Sequence, residues 1–376
     1  MSEVRVNNLS NENNTGGPTI SGITTYSGAN FFVPPQGGTA SRPSSCPPGS
    51  LRFNTDSAHL EYYKGDTIGW SEIEAEETAP LSGRLLRGGG EDAATTADTN
   101  IIEFIQTATT GNALDFGDLI RAQRHAAALS NNTRGIFAGG YKTGSGGSNV
   151  IESVEIATTG NTTNFGEATM GSNDWDFGML ANMTRGIMAG NADQNNIIEF
   201  IAIMSTGNST DFGDLLAGGR SVVGLASPTR GVMTSGAPSN SNTMQYITIA
   251  STGDAKDFGD LVTRTTGGAT YNKPSGSNGT RGLFGPSGGL DIERITISST
   301  GNAVTFGESA VYTSSANSLS GNSDKLRMFI GTGGTPGAIN TIEFVTMATD
   351  GNAVDFGDYL TAVKVAGSCC NAQGGI

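Results

Sequence analysis

Residues 149–167 read NVIESVEIATTGNTTNFGE. The first half alternates with period two and is rich in β-branched side chains, which fits a pleated strand and not a helical period of 3.6. Thr-Gly-Asn then marks a tight turn, and Phe-Gly-Glu opens a second strand. The same phrase recurs down the chain. Anchoring on its turn glycine gives Gly111, Gly160, Gly207, Gly253, Gly301 and Gly351, in steps of 49, 47, 46, 48 and 50 residues. A period of this size, built from strands, is the mark of a propeller blade. The expected fold is all-β: a six-bladed β-propeller over residues 81–376, preceded by an extended segment (1–48) and a small β-hairpin module (49–80).

Eight residues before each anchor stand Glu103, Glu152, Glu199, Gln245, Glu293 and Glu343, and six before it Ile105, Val154, Ile201, Ile247, Ile295 and Val345. Residues two apart share a strand face, so the acidic position lies beside a buried one and needs a partner. Upstream, Thr-Arg-Gly recurs with Arg134, Arg185, Arg230 and Arg281, each opening a short apolar strand. Guanidinium and carboxylate match bidentately, so a repeated Arg–Glu pair is expected to tie neighbouring strands. Five residues after each anchor come Phe116, Phe165, Phe212, Phe258, Phe306 and Phe356, each followed by Gly and an acidic residue. A ring at one place in every blade is expected to pack between blades, and the acidic residues to close turns through Asx-type bonds. The first blade starts at its second strand (83–90), so residues 360–371 are expected to supply the missing strand and leave no open edge.

Composition agrees. Gly 56 and only 15% charged residues among 376 describe many short strands joined by tight turns. The formal charge of −14 argues against nucleic acid and against an anionic membrane surface, both of which call for Lys and Arg. No apolar run is long enough to span a bilayer, and the N-terminus has no basic start or apolar core of a signal peptide. Cys46 and the adjacent Cys369 and Cys370 lack metal spacing and read as free thiols, in keeping with synthesis in a reducing cytoplasm. The two histidines, His59 and His125, have no Cys or carboxylate near them in sequence and read as surface or core filler. No catalytic, cofactor or metal residue is assigned.

Recognition should then reside where blades differ, because loops on a rigid scaffold carry function. The longest departures are residues 141–148, 170–180, 264–279 and 309–324. Trp175 between Asp174 and Asp176 is the leading candidate, as an aromatic plate beside carboxylates suits sugar stacking and hydroxyl hydrogen bonds. Simple packing of Trp175 over the ring is the alternative. Tyr141 and Tyr271 follow.

The apolar strand ending in Gly-Gly (IFAGG, 136–140), the alternating strand VIESVEIA, the aromatic and then RAQRHAAALS resemble the kelch family over about residues 83–376, with Phe where kelch repeats usually carry Trp. The N-terminal part differs. Residues 47–73, PPGSLRFNTDSAHLEYYKGDTIGWSEI, give strands at 51–54 and 60–64 around a polar turn, then a short one at 70–73. This phrase resembles short β-segments of tail-fibre and other virion proteins of tailed bacteriophages, and GGPTISGITTYSGANFFVPP resembles the N-termini of cyanophage structural proteins. Such a resemblance implies a virion protein, made in the host cytoplasm, that binds other virion proteins through residues 1–80. It also implies a projecting part for a host-surface glycan or protein, in several copies or as a homo-oligomer. A capsid or tail decoration protein without receptor binding is the alternative. A propeller glycosidase, working through carboxylates and Arg, is a third.

Overall fold

In this computed structural model the described residues are 34–57, 59–73, 82–170, 175–234, 242–263, 274–286, 290–311, 319–333 and 339–376. The chain divides into two compact units, Met1–Glu76 and Glu77–Ile376.

In the first unit a hairpin forms with its second strand one residue earlier than expected, so that His59 is in the strand: Leu51–Asn54 pairs antiparallel with His59–Tyr63, which pairs with Trp70–Ile73. Two features were not legible. Gln36–Gly37 adds a short parallel strand beside Leu51–Asn54, followed by a 3-10 turn at Thr39–Ser41. The sheet is also polar on its covered face. Arg52 lies opposite the fully buried Glu61, and Arg42 from the preceding segment donates Nε to Glu61 Oε2 at 2.9 Å. Leu51 and Ile73, on the other face, are each 41% exposed. Residues 1–33 of the expected anchor lie outside the described residues.

The second unit is all-β and built from antiparallel sheets in an arrangement compatible with a propeller. Each turn phrase closes the third and outer strands of one sheet. The first sheet runs Gly367–Cys370, Arg84–Gly88, Ile101–Gln106, Leu114–Asp118; the second Ala127–Ser130, Arg134–Ala138, Val150–Glu155, Thr163–Glu167. Gly178–Ala181, Arg185–Ala189, Ile197–Ala202 and Thr210–Asp214 form the third, and Gly224–Ala226, Arg230–Thr234, Thr243–Thr248 and Lys256–Asp260 the fourth. The fifth is Ser275–Ser277, Arg281–Phe284, Asp291–Thr296 and Val304–Glu308. The last has three strands, Arg327–Gly333, Ile339–Thr346 and Val354–Asp358. Beside it the segment around Ser320–Ser323 makes only isolated bridges, to Gly331 and Met328. Residues 367–370 pair with Arg84–Gly88, so the C-terminal strand completes the first sheet.

The Phe-Gly phrase is a β-bulge. In the first sheet Ile102 faces Gly117 and Glu103 faces Asp115, so Phe116 has no partner across the ladder, and the same shift occurs in all six sheets. A bulged residue drops out of the pairing, which leaves its carbonyl free. That carbonyl is taken by the next sheet: Gly160 N–H donates to Phe116 O, Gly207 to Phe165, Gly253 to Phe212, Gly301 to Phe258, Gly351 to Phe306 and Gly111 to Phe356, at 2.7–3.0 Å. The glycine after each Phe follows from the same approach. A Cβ on Gly117, Gly166, Gly213, Gly259, Gly307 or Gly357 would strike the backbone of the neighbouring turn glycine.

The six Phe rings are 2–4% exposed, and each joins apolar residues of two consecutive sheets. Phe212, for instance, clusters with Met233, Ile247 and Ile249 of the following sheet, and Phe356 of the last sheet with Leu85 and Ile105 of the first. Truncation of Phe212 to Ala should therefore cost about 3–5 kcal/mol in denaturant unfolding, the range for a buried aromatic that leaves a cavity. Leu114→Ala, at a side chain 59% exposed in the same kind of strand, should stay within about 0.5 kcal/mol.

Candidate functional site

The recurring polar residues hold sheets together, but not as the expected Arg–Glu pairs. Arg134 lies opposite Glu155 in the ladder and Glu152 opposite Phe137, so arginine and acid stand at different ends of one strand pair, three residues apart. Each arginine instead reaches a backbone carbonyl of the next sheet. Nη1 donates to Ile156 O from Arg84, to Ile203 from Arg134, to Ile249 from Arg185, to Ile297 from Arg230, to Met347 from Arg281 and to Thr107 from Arg327. The guanidinium also stacks on the ring after the acidic position where there is one: Arg84 on Phe104, Arg185 on Phe200, Arg230 on Tyr246, Arg327 on Phe344. Where that residue is Ser153, Arg134 bonds Glu155 instead; where it is Arg294, Asp350 of the next sheet bridges Arg281 and Arg294.

The buried acids serve the opposite neighbour. Glu152 accepts from Ile120 N–H at 2.8 Å, Glu199 from Thr169 at 3.0 Å, Gln245 from Leu216 at 2.8 Å, Glu293 from Val262 at 2.8 Å, Glu343 from Ala310 at 3.0 Å and Glu103 from Leu360 at 3.2 Å. Only an acceptor oxygen is required, which is why Gln245 fits. The acidic residues after Phe-Gly are held through their backbone. Their backbone N–H groups are capped by the Asn or Asp after the next sheet's turn glycine, as Asp118 by Asn161 and Asp214 by Asp254.

Two ends of the unit can be told apart. Inner strands start at Ala127, Gly178 and Gly367, and the second strands start at the other end, where the chain enters at Gly83 and Arg84 N–H bonds Asn371 Oδ1. Near that entry end the tail folds inward, with Gln373 Nε2 donating to Ser130 O and Ala181 O at 3.0 Å and residues 372–376 buried. Between the ends lies a cavity of about 70 Å³ bordered by Ala126, Phe177, Val222, Ser275, Ser320 and Gly367, one from each innermost segment.

At the end opposite the entry, four residues of consecutive sheets occupy the left-handed region: Val365, His125, Asp176 and Ser221, with φ of 54°, 58°, 64° and 56°. They are linked in series by backbone bonds, His125 N–H to Val365 O, Asp176 to His125 and Ser221 to Asp176. Such geometry is strained for non-glycine residues and persists only where surroundings enforce it. Trp175 sits on this rim, its ring 5.0 Å from His125 and 5.4 Å from Tyr141, and Arg124 lies 5.3 Å over Tyr141. Arg124 pairs with Glu91, which also meets Lys364 Nζ at 2.8 Å. Half-buried aromatic faces and charges of both signs thus form one patch across several sheets.

The pairing of Trp175 with flanking carboxylates does not hold for Asp176. That residue is 1% exposed, accepts Ser221 Oγ–H at 2.8 Å on Oδ2 and has Oδ1 facing His125 Nδ1 at 3.7 Å, so its carboxylate is buried beneath the rim. His125 is buried, and the fold brings near it a carboxylate that the sequence does not place nearby. In this Ser–Asp–His grouping the hydroxyl proton points to the acid, whereas a nucleophile's proton goes to its base. Asp174 and Tyr271 lie outside the described residues. No group of metal-binding side chains occurs among the described residues. All three cysteines are free, and burial pushes the Cys369 thiol up to about 12. No family model matches the chain, and no curated protein matches it.

Burial is the main cause that raises the Glu152 carboxyl above its ordinary value, against the opposing bonds from Thr162 and Ile120. A raised folded value means that the folded state holds the proton longer than the unfolded one, so stability falls as pH climbs from the ordinary carboxylate value through the folded one. Glu152→Gln keeps the acceptor and removes the buried charge. The variant should unfold at higher temperature than the parent at pH 7, and the gain should vanish at pH 3.

Proposed function

We propose that the six sheets are blades of a closed β-propeller, and that this propeller is the displayed binding part of a tailed-phage virion protein, attached through its N-terminal segment. The bulge bonds, the arginine bonds and the acid bonds support closure, since each series passes through six sheets and returns from the last to the first. The observation that carries the display reading is the position of the Trp175 patch at the end opposite Gly83, where the chain enters. Repeated residues are consumed in joining sheets, whereas this patch is unrepeated. An aromatic face with charges of both signs suits a sugar or a polar protein surface. The resemblance of residues 47–73 to virion β-segments supports attachment there, and the division into two units at residue 76 agrees with that split.

Three experiments bear on this. Removing residues 360–376 deletes the strand that pairs with Arg84–Gly88 and should abolish cooperative unfolding of the second unit; an unchanged melting curve would overturn closure. Antibody labelling of purified particles should find the chain on a tail appendage, and label on the capsid shell would favour the decoration reading instead. Particles with Trp175→Ala should adsorb to host cells at a tenth of the parental rate or less, the loss of about 1.4 kcal/mol or more that a buried Trp anchor gives.

A further inference from the structure

One junction between sheets differs from the rest. The residue facing the buried acid across the ladder is Phe137, Met188, Met233, Phe284 or Ile330 in five sheets, and Arg87 in the first. Arg87 is 2% exposed and Glu103 fully buried, with Nη2 to Oε2 at 2.8 Å. The guanidinium lies 4.0 Å over the Tyr359 ring and donates to Thr361 O and Oγ1, both at 3.1 Å. At the position of Tyr359, three residues after the bulged Phe, the other repeats carry Leu119, Ala168, Leu215, Leu261 and Ser309. Gly331 leaves room for the larger ring, since a Cβ there would meet it.

We propose that Arg87, with Tyr359 and Thr361, selects the C-terminal segment as the one that completes the first sheet. The inference rests on the closed-propeller reading. A chain of near-repeats that starts one strand short offers its vacant edge to several similar segments, each with a Phe-Gly bulge and a small-residue inner strand. Apolar packing separates them poorly. A buried guanidinium separates them well, because an unmet charge is costly and only residues 359–361 bring a ring face, a hydroxyl and a carbonyl to it. Two residues beyond the position of Tyr359, the internal segments bring Arg121, Met170, Ala217, Thr263 and Val311 instead, and Arg121 would repel. Buried polar groups are best attested in this registry role, not as a source of net stability.

The test is refolding of the full chain. R87M/Y359L recreates apolar junctions of the kind that Met188 and Ala168 make with Glu199. At equilibrium it should unfold no more readily than the parent. On dilution from denaturant its ratio of misassembled to native monomeric product, read by size exclusion, should rise roughly tenfold, the change that about 1.4 kcal/mol of lost discrimination gives. Should that variant not fold, R87M/E103Q/Y359L, which copies the uncharged junction of Leu215, Met233 and Gln245, carries the same comparison. Refolding with the parent's partition would overturn the selector role while truncation of 360–376 still unfolds the protein. Truncation without effect would instead overturn closure itself.

Discussion

The larger unit depends on a carbonyl that its own sheet does not use. Bulging the outer strand at Phe116 and its five counterparts removes one residue from the ladder, and the freed oxygen receives the turn N–H of the following sheet. The same distortion turns the ring into the core between sheets and brings two backbones so near that only glycine fits after it. Phe-Gly is thus one device with three effects: a hydrogen bond outward, an apolar contact inward and a limit on side-chain size between them.

Around this bond the polar repeats form a directional system. Arginines at the start of the second strands donate forward to the next sheet, and acids in the third strands accept from the previous one. Each sheet therefore meets both neighbours through side-chain bonds to backbone, which need no matched ion pair and are charge-assisted except at Gln245, whose amide oxygen accepts in place of a carboxylate. Where a repeat lacks the aromatic under its arginine, a nearby acid takes its place, as with Asp350. A local substitution is absorbed as long as the backbone acceptor stays.

The proposed function occupies what the repeats leave over. Positions that recur are buried between sheets, and the Trp175, Tyr141, His125 and Arg124 patch stands on strained backbone at the end opposite the entry of the chain. The buried Asp176 and Ser221 hold that rim from beneath. Rigid support under half-buried aromatics is a sound basis for recognition, because little order is lost on binding.

Strand positions, the repeat length and the burial of Phe were legible in the sequence, since a period of two and turn chemistry act over a few residues. The hairpin at residues 51–63 was legible for the same reason. The partners of Arg134 and Glu152 were not. Opposite charge suggests that the two meet, while the register sets them three residues apart and delivers backbone groups from adjacent sheets. His125, Asp176 and Ser221 share a position but no chemistry, so no motif could join them. Local pattern determined which residues form strands, turns and core. Only the tertiary structure decided which polar groups meet, because those partners lie about thirty residues or more away and are chosen by the spacing of packed sheets.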